Sequence, residues 1–186
     1  AQSNAASIAA ALQSWRDVCS DPSPDLALGY LMDAMATGSV DVRKACLRQV
    51  LMSDNADVLN AALRVLMTSL PAVRFKVTGE ISDGHGTYMH LVRSIQTGLV
   101  FQVADGNSQA GTATWKPAID TPMPGETATG TMSVFGSDVH WAGIARSSGQ
   151  DWSCALTATL TEGTRIVGTF VCAARTPVPV EANLFD

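Results

Sequence analysis

Residues 154–172 read Cys154-Ala155-Leu156-Thr157-Ala158-Thr159-Leu160-Thr161-Glu162-Gly163-Thr164-Arg165-Ile166-Val167-Gly168-Thr169-Phe170-Val171-Cys172. Apolar and β-branched residues run on both sides of Thr161-Glu162-Gly163-Thr164, so the stretch reads as strand, turn, strand. Centred on Gly163, an antiparallel hairpin sets Cys154 and Cys172 directly opposite each other, each nine residues from the centre. Opposed residues bring their Cβ atoms to about 4.5–5.5 Å, near the separation a disulfide spans. Two free thiols on neighbouring strands is the competing reading.

Around this hairpin the pattern stays β. From Ala72 the alternation Val73-Arg74-Phe75-Lys76-Val77 describes a half-exposed strand. Turn signals follow at Asp83-Gly84-His85-Gly86, Asp105-Gly106-Asn107, Gly136-Ser137, Ser147-Ser148-Gly149 and Glu162-Gly163. They delimit expected strands over 88–94, 99–104, 112–116, 128–135, 139–145, 152–160 and 165–173. About eight strands in meander order suit a small barrel or a sandwich. Gly-Thr recurs inside strands at 111–112, 130–131 and 168–169. Glycine inside a strand marks a bend or coil in the sheet, which favours a barrel. The loop 117–127, with three prolines, is the longest irregular stretch and is placed to close over one end. The tail 176–186 holds Pro177 and Pro179, so it is expected to be extended and outside the sheet. Its Leu184 and Phe185 are candidates to dock on a partner.

Upstream of Pro71 the period changes. Ser23-Pro24-Asp25, Ser39-Val40-Asp41 and Asn55-Ala56-Asp57 recur every sixteen residues. Gly29, Ala45 and Ala61 follow at one fixed offset, and Leu31, Leu47 and Leu63 at another. Met35, Leu51 and Met67 come next, then Thr37, Ser53 and Ser69. Ser and Asn are preferred N-caps, Pro is tolerated at the first helical position, and Asp suits the positive end of the helix dipole. The small residue lets a neighbouring helix approach closely. The Leu and Met columns complete an apolar face. Sixteen residues leave a helix of about twelve and a short connection, so successive helices run antiparallel. Residues 5–18 add a further helix, with Ile8, Leu12 and Trp15 on one face. Asp17, Asp25, Asp33, Arg43, Arg48 and Arg64 are expected on solvated faces.

The runs Asp41-Val42-Arg43-Lys44-Ala45-Cys46-Leu47 and Asn60-Ala61-Ala62-Leu63-Arg64-Val65-Leu66 resemble HEAT-type helical repeats over about residues 23–70. The period departs from that family, whose helix pairs run to about 40 residues. The resemblance implies a stacked helical array with a surface for protein contact, and it carries no catalytic residue across.

The fold class is therefore α+β: an array of about four short antiparallel helices over 1–70, an antiparallel β-meander over 71–175, and the tail 176–186. The 186 residues are 46% hydrophobic and 16% charged, with 12 basic and 17 acidic side chains for a net charge of −5. Neither part hides a basic patch: five basic face seven acidic residues over 1–70, and seven face ten over 71–186. Nucleic acid is not an expected partner. No apolar run reaches the ~18 residues of a membrane span.

The chain has four cysteines, and four allow three connectivities. Cys19–Cys46 with Cys154–Cys172 is preferred, because each pair joins residues of one sub-region. No C-x-x-C occurs and no histidine sits at zinc-ligand spacing, so no metal site and no cofactor is expected. Two disulfides point to an oxidising compartment, the periplasm or the outside. The start Ala1-Gln2-Ser3 fits what signal-peptide cleavage leaves, and equally a trimmed start.

Chemical motifs are sparse. Asp138 and His140 lie two apart on one strand and share a face; they read as a polar row, or as a hydrolase pair if a nucleophile stands within reach. His85 falls in a turn and His90 on the next expected strand. Trp115, Trp141 and Trp152 either stack on a sugar or fill the core. Parity favours the core, since Trp141 shares a face with Val139 and Trp152 with Cys154. The seven methionines read as core filler. The expected function is a non-enzymatic, exported protein-interaction module, an accessory or structural subunit of a larger assembly. The alternatives are a barrel binding a small ligand or carbohydrate, and the Asp138/His140 hydrolase.

Overall fold

A computed structural model of the chain describes residues 4–80, 87–119, 127–162, 164–173 and 175–185. Its elements are α1 (Asn4–Cys19), α2 (Pro24–Ala36), α3 (Val40–Leu51), α4 (Ala56–Ser69), β1 (Ala72–Val77), α5 (Thr87–Gln96), β2 (Leu99–Asn107), β3 (Thr112–Ala118), β4 (Gly130–Phe135), β5 (Asp138–Ser147), β6 (Gln150–Thr161), β7 (Arg165–Cys172) and β8 (Val178–Asn183). The fold class is α+β. The chain divides into two compact units, Ala1–Val65 and Leu66–Asp186, so the last turn of α4 belongs with the second. There Trp115 Nε1 donates to the Met67 carbonyl at 3.1 Å, and Val103 N donates to Pro71 O at 3.1 Å. A boundary drawn at residue 71 separates Met67 from Trp115. Among the described residues no helix is long and apolar enough to cross a membrane.

In the first unit α2, α3 and α4 begin sixteen residues apart, at Pro24, Val40 and Ala56. The turns between helices repeat with the same period. Thr37 Oγ1 accepts from Ser39 N at 3.2 Å, and Ser53 Oγ accepts from Asn55 N at 3.2 Å. One unit earlier the Asp21 carboxylate accepts from Ser23 N at 2.8 Å. Each acceptor fixes the residue that starts the next helix. The caps follow: Ser39 Oγ accepts from Val42 N at 3.3 Å, and Asn55 Oδ1 accepts from Asp57 N at 2.9 Å. Leu31, Leu47 and Leu63 are fully buried, as helical periodicity requires. Cys19, at the end of α1, is bonded to Cys46 within α3, with Cα atoms 5.1 Å apart.

Gly29 departs from its expected role. It is exposed, and a Cβ built on it meets nothing within 4 Å. No helix approaches there, so the glycine only weakens α2. Gly29→Ala should raise stability by about 1 kcal/mol, read as a higher midpoint in thermal unfolding.

The second unit is a closed barrel in which each strand pairs antiparallel with the next and β8 returns to β1. Cys154 stands opposite Cys172 in the β6–β7 ladder, and the two are disulfide-bonded. Gly168 and Gly130 lie where the wall is tightest. A Cβ on Gly168 would strike the Thr157 carbonyl oxygen, and it would lie 2.5 Å from Ala158 Cα. One on Gly130 would lie 2.7 Å from Trp141 Cε2. Gly111 differs: it sits in a turn with φ +69°, outside the strands.

Two expected elements come out otherwise. Residues 88–94 form part of helix α5 rather than a strand. Tyr88, Leu91, Val92 and Ile95 are buried, a spacing of i, i+3, i+4, i+7 that only a helix aligns. The tail is not outside the sheet. β8 pairs with β7 from Phe170↔Val178 to Arg165↔Asn183, and with β1 at Val77↔Val180 and Lys76↔Glu181. Pro179 fits because its carbonyl accepts from Thr78 N. Its missing N–H faces the same way, where β1 has already ended at Val77.

Candidate functional site

The three tryptophans of the barrel lie in its core, with exposures of 0% for Trp115, 1% for Trp141 and 7% for Trp152. Phe101 sits among them, 5.1 Å from Trp115 and 5.0 Å from Trp141 between ring centroids. Phe75 and Phe170 complete the cluster, both fully buried. The indole N–H of Trp141 donates to the Trp115 carbonyl at 3.1 Å. These rings are enclosed and cannot stack on a sugar at the surface. Trp152 lies against Tyr88 of α5 at 5.5 Å. Its Nε1 is buried without a hydrogen-bond partner among the described residues, as is Ser147 Oγ.

The outer wall carries the aromatic ring that alternation did not single out. Phe135, at the end of β4, is 68% exposed, with its ring 6.1 Å from that of His140. His140 is flanked by Ser133 and Thr157 in the ladders of β5. Asp138 and His140 do share a face, but the Asp138 carboxylate accepts from Thr159 Oγ1 at 2.6 Å, across the β5–β6 ladder. Ser133 is the one hydroxyl beside His140 on β4, and no hydrogen bond joins them among the described residues. Parity places these groups as a polar row on a barrel wall. His90 stands exposed on α5 rather than on a strand, and His85 lies outside the described residues. Among the described residues no group of three His, Cys, Asp or Glu side chains is placed to hold a metal.

The tail residues are also wall. Leu184 is 3% exposed, and its N–H donates to Thr164 O at 2.9 Å. Phe185 is half-buried, and its N–H donates to Asn183 Oδ1 at 2.9 Å. A segment that continues the last strand of a closed barrel is not free to dock elsewhere, which removes Leu184 as a partner-binding residue.

The helical unit has the more open chemistry. At one of its ends α1 and α3 finish while α2 and α4 begin, around a hollow of about 330 Å³. Pro22, Pro24, Ala27, Val50, Met52 and Val58 give it an apolar lining. Ser20, Asp21, Gln49, Ser53 and Asn55 give it a polar one. The disulfide half Cys19 forms part of the wall. Met52 is 76% exposed at the rim, and Leu26, beside the lining in sequence, is 52% exposed. On α1 the apolar face passes from buried Cys19 through half-buried Trp15 and Leu12 to Ile8, which is 55% exposed. No sequence motif announces this hollow, because it is assembled from four helix ends. Its nearest trace is the repeating turn column, in which Asp21 does the work of Thr37 and Ser53.

No protein-family model matches the chain, and neither a curated protein nor a solved structure matches it.

Proposed function

We propose that the protein is a non-enzymatic protein-interaction module, and that its helical unit, a HEAT-like stack, is the binding part. It serves as an accessory or structural subunit of a larger assembly. One observation carries this reading. Seven large apolar side chains stand in solvent among the described residues, and five of them belong to the helical unit: Ile8, Leu26, Met32, Val40 and Met52. The excess of exposed large apolar side chains on one of the two units supports that unit as the interaction surface. The barrel, by contrast, buries Trp115, Trp141, Phe75, Phe101 and Phe170 in its core.

The two disulfides suggest an oxidising environment. The compartment proposed is the periplasm or the exterior of the cell.

Replacing Leu26, Met32 and Met52 with serine should test the reading. All three are exposed, so thermal stability should move by no more than about 0.5 kcal/mol each. The assembly isolated from the native source should fall to the mass of the free chain in light scattering. An assembly that keeps its mass, or a wild-type chain that travels alone, would sink the proposal.

A further inference from the structure

We infer that the hollow at the end of the helical unit takes a basic peptide segment through one apolar side chain of leucine or methionine size, an inference that rests on the protein-interaction reading above. The volume of about 330 Å³ lies at the small end of the range for drug-sized ligands, about 300–1,000 Å³. It suits a side chain and its neighbours better than a large cofactor. The apolar part of the lining supplies the contact, and Met52 at the rim adapts its shape, as an unbranched thioether can.

The helix ends and turns around the hollow carry more acid than base: Asp17, Asp21, Asp25, Asp54 and Asp57 against Arg16 and Arg48. Residues 20–27 and 49–58, which supply all of its lining except Cys19, contain Asp21, Asp25, Asp54 and Asp57 and no Lys or Arg. Asp25, Asp54 and Asp57 are exposed. Asp21 is the one charged lining residue; the other carboxylates and both arginines stand outside the lining, and the excess of carboxylates makes the surroundings acidic. Helix dipoles do not offset these carboxylates. Two helices begin here and two end, so the positive and negative termini oppose each other and the carboxylates set the sign. A partner complementary to this rim carries Lys or Arg on either side of its apolar anchor.

The hollow is also held in shape before any partner arrives. Cys19 is tied to Cys46. Pro22 and Pro24 fix their own backbone torsions. Asp21, Ser53 and Asn55 each accept a backbone N–H in the turns that form the rim. A preformed pocket avoids the ordering cost of association.

The test is a selection of random peptides, displayed on phage, against the oxidised full-length protein. Selected peptides should place Lys or Arg on both sides of Leu or Met. In NMR titration of the full chain, a representative synthetic peptide should shift resonances of Ser20, Ala27, Val50, Ser53 and Val58. Its affinity should fall about tenfold when Asp25, Asp54 and Asp57 are all changed to Asn, and should weaken with salt. The Asn variant keeps side-chain shape at exposed positions, and a cooperative melting curve like that of the wild type is the control for its folding. Neutral or acidic peptides seated in the hollow would overturn the basic partner while leaving the interaction reading intact. Shifts confined to other surfaces would overturn the hollow. Failure to select any peptide would overturn the inference, while the serine variants above decide the broader reading separately.

Discussion

A chain that stops before Pro177 should lose its barrel. β8 is the strand that joins β7 to β1, and the removed segment buries Val178, Val180, Ala182 and, just past the strand, Leu184, each at most 3% exposed. Burying an aliphatic side chain of this size contributes about 1.5–3 kcal/mol. Val178, Val180 and Leu184 therefore carry about 4.5–9 kcal/mol, comparable with the whole stability of an ordinary domain, about 5–15 kcal/mol. Removal also leaves the facing groups of β7 and β1 unpaired at two new edges. The expected result is loss of the near-ultraviolet circular dichroism of Trp115, Trp141 and Trp152, with exposed apolar surface that binds a hydrophobic dye. A milder variant, Val180→Asp, should fail in the same way, because it puts an unpaired carboxylate into a fully buried position. A truncated chain that still melts cooperatively would show that the tail is dispensable and the barrel open.

The second large effect is expected at Gly168. The residue stands opposite Ala158 on β6 and Val180 on β8, and the added methyl of Gly168→Ala would meet the Thr157 carbonyl. The obstacle is backbone, which cannot swing aside as a flexible side chain does. The strands must separate or the ladder must slip. Overpacking of this kind costs about 3 kcal/mol at the upper end of its usual range. The barrel's midpoint should drop by about 10 °C, measured by calorimetry. The contrast with Gly29→Ala is the useful control. The same chemical change is expected to stabilise α2, where space is open, and to break the barrel, where it is not. An unchanged midpoint for Gly168→Ala would mean that β6 and β7 are farther apart than described.

Much of this fold is legible in the residues, and the gaps have physical causes. The hairpin of β6 and β7 reads directly, because period-two alternation and a turn glycine together fix its register. The inward tryptophans follow from parity with Val139 and Cys154. The helix starts follow from Ser, Pro, Asn and Asp at their capping positions. α5 is hidden because its segment lies between two turn signals like the strands around it, and only the spacing of Tyr88, Leu91, Val92 and Ile95 marks a helix. β8 is missed because Pro177 and Pro179 outweigh the alternation of Val178, Val180 and Ala182. A proline is harmless where the neighbouring strand has ended, and that is a fact of the sheet, not of the segment. The candidate site was the least legible. A hollow built from four helix ends leaves no contiguous pattern, and the aromatic ring exposed on the barrel, Phe135, looks like any strand residue until its face is known.

Site-specific photo-crosslinking in the native compartment tests the central claim most directly. A photoreactive phenylalanine analogue is placed at Met52 in one full-length variant and at Phe135 in another, two positions that are 76% and 68% exposed. The account predicts a defined protein adduct from position 52 and none from position 135. An adduct from position 135 alone would move the binding surface to the barrel wall and contradict it.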